Sequence, residues 1–73
     1  MDLIKKMMTI NVNNQPQSIV ENSSISELLE HLNIVTNGVA IAINNEVVSK
    51  EDWTTRFLQK KDQVTIIRAT QGG

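Results

Sequence analysis

The five residues Val39-Ala40-Ile41-Ala42-Ile43 restrict this chain more than any other stretch. All five are apolar, so an extended strand here avoids water on both faces, the pattern of a strand inside a sheet. Side chains alternate along a strand, so the large Val39, Ile41 and Ile43 share one face. The small Ala40 and Ala42 share the other, which predicts an alanine face lying close beneath something else. Asn44-Asn45 follows, and asparagine tolerates the positive φ that both central residues of a type I′ hairpin turn require. Residues 46–48 then return as a short partner strand.

Further strands and an apolar cover come from the flanks. Met8, Ile10 and Val12 alternate with Thr9, Asn11 and Asn13, as a half-buried strand requires. Asn13-Asn14-Gln15-Pro16 supplies turn residues, so residues 17–20 are expected to return as a second strand in a hairpin. Ser24-Ile25-Ser26-Glu27 fits a capping box, in which Ser24 and Glu27 reciprocally satisfy free amide donors, and it predicts a helix starting at Ile25. Ile25, Leu28, Leu29 and Leu32 then fall in one stripe that fits across a sheet face, with Asn33 as the stop. Glu27, Glu30 and His31 face water, and a protonated His31 in the last turn would interact favourably with the helix dipole. Residues 34–38 form a connector with its turn at Asn37-Gly38. Ser49-Lys50-Glu51-Asp52 repeats the helix-start signal, and Trp53, Phe57 and Leu58 have apolar spacing for a short helical element, with Trp53 as a core or edge plug. Lys60-Lys61-Asp62 reads as a charged turn. Residues 63–68 read as the last strand, with Val64 and Ile66 inward and Ile67 outward, where an exposed apolar side chain can help seat a partner.

Strand, strand, helix, strand, strand, short helix, strand is the order of an α+β β-grasp fold: a mixed sheet of about five strands wrapped on one main helix. The first and last strands are expected side by side and parallel in the middle of the sheet, since the long connection between them permits it.

With 73 residues the chain makes one domain, residues 1–73, burying only about 60% of the surface its unfolded form exposes. A pocketed enzyme is not expected, and no catalytic residue is assigned. There is no cysteine, hence no thiolate nucleophile and no cysteine-ligated zinc; with His31 as the single histidine, neither a metal set nor a proton-relay triad can be assembled. The formal net charge of -1 argues against a bulk attraction to nucleic acid or anionic membrane. Trp53 and Phe57 are the only aromatic residues, too few for a base-stacking platform. Lys5 and Lys6 interrupt the apolar opening residues, so no export signal is read there, and no apolar run approaches membrane-span length. A soluble, cytoplasmic protein is expected. Residues 1–7 read as an N-terminal extension.

The stretch Ala69-Thr70-Gln71-Gly72-Gly73 reads as a flexible tail, residues 69–73. Two terminal glycines lack Cβ atoms, so the chain is free and thin enough to thread a narrow channel in another protein. The α-carboxyl beyond them is ionised at neutral pH and able to attack an electrophile such as the α-phosphorus of ATP. On glycines alone, a frayed terminus is the simpler account.

Taken together, Ser26-Glu27-Leu28-Leu29, Val39-Ala40-Ile41-Ala42-Ile43-Asn44 with Val47-Val48, Trp53 beyond it, and Gly72-Gly73 resemble ThiS, the ubiquitin-like sulfur carriers of thiamine biosynthesis. The resemblance runs from about Met8 to Gly73. It implies a carrier with no cofactor of its own. A partner adenylyltransferase (ThiF-like), using ATP and magnesium, would adenylate the Gly73 carboxylate. A cysteine desulfurase relay would supply sulfur to form a thiocarboxylate, and a thiazole synthase (ThiG-like) would take it. On this reading Gly73 is the modified residue, Gly72, Gln71 and Thr70 line the partner channel, and Ile67 and Arg68 flank the docking surface. Ser49-Lys50, where the family often has Pro-Arg, and Gln71, where it often has a small or apolar residue, depart from the pattern. The alternatives are the sulfur carrier subunit of molybdopterin synthase, a ubiquitin-like protein modifier, and a stand-alone β-grasp binding module.

Overall fold

A computed structural model describes residues 6–68. Its elements are β1 (Met7–Val12), β2 (Gln15–Val20), α1 (Ile25–His31), β3 (Val39–Ile43), β4 (Glu46–Val48), a single 3-10 turn (Lys50–Asp52) and β5 (Gln63–Arg68). The five strands form one sheet in the order β2-β1-β5-β3-β4, with β5 at its centre. β1 runs parallel to β5 and the other neighbours are antiparallel, as the β-grasp reading expects.

Local chemistry explains each boundary. The residues 13–14 and 44–45 turns have φ of 50° and 67°, and 50° and 71°, so both hairpins close on two left-handed asparagines. The first turn is therefore two residues long rather than four, and Pro16 lies inside β2, paired with Asn11. Proline is tolerated there because β2 is an edge strand, where a missing ladder donor costs little. β1 also begins at Met7, paired with Val20.

The capping box forms as expected: the Glu27 amide donates to Ser24 Oγ at 3.1 Å, and the Ser24 amide donates to Glu27 Oε1 at 2.8 Å. At the other end Leu32 is the C-cap and Asn33 takes φ 57°, while the Ile34 amide reaches the Leu29 carbonyl at 3.0 Å. A left-handed residue just past the cap is a common way to end a helix, and asparagine tolerates it. Gly38, at φ 74°, opens the run into β3.

The stripe from α1 packs on the inner face of the sheet. Ile10, Ile25, Leu28, Leu29, Ile41, Ile43, Leu58 and Val64 are essentially removed from water, with Leu32, Val39, Val48 and Ile66 packed around them. Trp53 plugs this core, and its Nε1–H donates to the Val48 carbonyl at 3.0 Å, so the indole loses no hydrogen bond on burial.

Three local expectations change. Ser49 makes no side-chain cap bond and the element after it is one 3-10 turn, because the chain must fold straight back to place Trp53 in the core. Phe57 does not join the core: it is half exposed and forms an isolated bridge with Ser24. The alanine face is the outer face of the sheet, where Ala40 is exposed; Ala42 is buried beside its register partners Val47 and Thr65.

Candidate functional site

β5 links the scaffold to the tail. Gly73, Gly72, Gln71 and Thr70, expected to be the modified and channel-lining residues, lie outside the described residues, so the site is built from the strand that leads to them. The start of β5 is held by the β3–β4 turn: Asn44 Oδ1 accepts from the Gln63 amide at 3.0 Å, and the Asn44 amide donates to the Gln63 carbonyl at 2.8 Å. Asn44 Nδ2 also donates to Asp62 Oδ1 at 3.2 Å, while Asp62 Oδ2 accepts from the Gln59 amide at 2.8 Å. Asp62 is thus buried with both carboxylate oxygens in use. Lys60 beside it is exposed and pairs with Glu21 at 3.6 Å.

The two residues expected to flank a docking surface sit on opposite faces. Ile67 is 52% exposed and pairs in register with Ala40, on the face away from α1. Ala42 lies two residues along β3 on that same face, and Val47 pairs with Ala42. Ile67, Ala40, Ala42 and Val47 therefore form an apolar strip across β5, β3 and β4, flat because two of its members are alanines. Its exposed members, Ile67, Ala40 and Val47, are suited to burial against another protein. Arg68, next along, pairs with Val39 instead and lines an open cleft with Asn33, Val35, Asn37 and Gly38. The strand alternation that makes Ile67 available to a partner on the outer face turns Arg68 to the other.

His31 is exposed at the end of α1, and among the described residues no group of three potential ligands is close enough to hold a metal ion. Among the same residues, no helix is long and apolar enough to cross a membrane. The sequence reading found Ile67 but missed Ala40 and Val47 as its neighbours on the surface. The register needed to join them is a property of strand pairing; the small-large alternation of β3 was the available signal.

Comparison with known proteins points one way. The pattern of the ThiS family matches residues 10–73. The sulfur carrier protein ThiS of Escherichia coli K12 is 33% identical over 66 residues, spanning 90% of this chain and all of that protein. An uncharacterised protein, ycf40, of Porphyra purpurea is 28% identical over 71 residues, 97% of this chain and all of its own length. The crystal structure of a thiamine biosynthesis protein (ThiS) from Geobacter metallireducens superposes with a TM-score of 0.80 at 26% identity, over 90% of this chain and 100% of the other.

Proposed function

The chain belongs to the ThiS family, and from that premise we propose that it carries sulfur for thiazole formation in thiamine biosynthesis, in the cytosol, with the Gly73 carboxyl as the carrying group. The observation that carries this reading is that the family match runs through residue 73, so the glycine pair falls within the matched pattern. β5, the central strand of the sheet, leads to it.

The chemistry follows from the weakness of a carboxylate as an electrophile. One Gly73 oxygen attacks the α-phosphorus of ATP in the partner adenylyltransferase, with magnesium on the phosphates, and pyrophosphate leaves. Sulfur at the oxidation level of sulfide, drawn from a cysteine desulfurase relay and a thiol reductant, then attacks the acyl carbon. AMP departs with that oxygen, leaving a thiocarboxylate for thiazole synthase. The carrier supplies position: holding the tail against the reacting phosphate makes a bimolecular attack effectively unimolecular, worth up to roughly 7–11 kcal/mol in favourable cases. Gly72 and Gly73 keep the tail narrow, Gln71 and Thr70 line the channel, and the strip around Ile67 docks outside it. Arg68, on the other face, engages the partner near the channel mouth. Absence of cysteine leaves no internal thiol to capture the activated acyl group.

Complementation separates this pathway from its nearest relative. The gene should restore growth of a thiazole-requiring strain lacking its own carrier, and should fail in a strain lacking the molybdopterin sulfur carrier. Rescue of the second strain alone would contradict the proposal.

A further inference from the structure

Beyond Val64 the β1 side of β5 loses its partner strand. β1 and β5 share only the register pairs Asn11 with Gln63 and Val12 with Val64, and the last backbone bond between them is the Asn13 amide to the Val64 carbonyl at 2.9 Å. At Asn13 the chain turns away at φ 50°. The Asn13 side chain occupies the next rung: its Oδ1 accepts from the Ile66 amide at 2.8 Å, and its Nδ2 faces the Ile66 carbonyl at 3.4 Å. A primary amide carries one acceptor and one donor side, as a peptide group does, so it can substitute for a strand residue. The contact spans 53 positions of sequence, and it falls on the residue immediately before Ile67.

We infer that Asn13 is a positioning residue for the end of β5: its carboxamide extends the sheet by one rung, holds Ile66, and thereby fixes the presentation of Ile67. This rests on the sulfur-carrier reading for its consequence, though the clamp itself does not. Ile66 turns both its backbone groups to Asn13, while its neighbour Ile67 pairs with Ala40 of β3, so the end of β5 is held from both sides and Ile67 reaches the partner already ordered. Without the carboxamide, the end of β5 is held from the β3 side alone and the partner must restrict it further on binding, which weakens docking and leaves the chemistry of the seated tail unchanged.

Glycine isolates the side chain, because it accepts the positive φ of residue 13 without strain. Asn14→Gly is the matched control: Asn14 shares the turn at φ 67°, and its side chain makes no hydrogen bond among the described residues. Two measurements decide. Amide hydrogen exchange on the whole chain alone should show Ile66 exchanging about three- to tenfold faster in Asn13→Gly than in Asn14→Gly, the range expected for loss of one net hydrogen bond. Pyrophosphate release with the adenylyltransferase, ATP and magnesium should show KM for the carrier raised by about threefold or more, with kcat within about twofold. Equal exchange at Ile66 in the two variants overturns the inference, and so does faster exchange with KM unchanged. If the unaltered chain supports no pyrophosphate release, the sulfur-carrier reading fails, and the exchange result alone decides whether the clamp exists.

Discussion

Replacing Ser24 by alanine tests how the helix is held on the sheet. α1 is seven residues long, too short to persist in water by itself, so it depends on packing and on its caps. Ser24→Ala removes the acceptor of the 3.1 Å bond from the Glu27 amide, while the reciprocal bond from the Ser24 amide to Glu27 Oε1 survives. Loss of an N-cap hydroxyl costs about 0.5–2 kcal/mol. Ser24 is only 4% exposed and its bond with the Glu27 amide is partly buried, which places the cost at about 1–2 kcal/mol. In a domain of this size each kcal/mol shifts the melting temperature by about 4–8 °C, which predicts a fall of roughly 5–15 °C by thermal circular dichroism. Ser26→Ala is the control, since Ser26 lies inside the helix and its side chain makes no hydrogen bond among the described residues; it should stay within about ±0.5 kcal/mol of the parent. If the two variants melt together, the capping box does not anchor the helix and the reasoning fails.

Three further outcomes follow from the same geometry. Ile67→Asp should lower kcat/KM for adenylation by about tenfold or more while leaving the melting temperature within a few degrees, because the side chain is on the open outer face. Trp53→Phe keeps an aromatic ring in the core but removes the indole donor to the Val48 carbonyl, and urea unfolding should show a loss of about 0.5–1.5 kcal/mol. Lys60→Ala breaks an exposed pair with Glu21 and should change stability by less than about 1 kcal/mol in the same titration.

Contacts close in sequence were legible and contacts remote in sequence were not. The Ser24–Glu27 box, the left-handed Asn44-Asn45 turn and the inward stripe of α1 are set by neighbours within a turn or a hairpin, so residue type and spacing sufficed. The parallel pairing of β1 with β5 was reachable from element order alone. Pro16 was misplaced because its tolerance depends on β2 lying at an edge, which only the assembled sheet decides. The side-chain bonds of Asn13 and Asn44 to β5 span 53 and 19 positions, and a turn asparagine carries no mark of what its amide will reach. The opposite facing of Ile67 and Arg68 was implicit in strand alternation and needed no remote contact. Phe57 has core-like spacing from Trp53, but a single 3-10 turn cannot bring both rings to one side.

Intact-mass spectrometry tests the central claim most directly. The chain is incubated with the adenylyltransferase, ATP, magnesium and a sulfide source, beside a variant lacking Gly73. Exchange of one oxygen for sulfur adds about sixteen mass units, a terminal modification that fragmentation localises. The account predicts that gain at Gly73, its absence from the shortened variant, and identical circular dichroism for the two. No gain in the parent chain, or a gain on an internal residue, would contradict it.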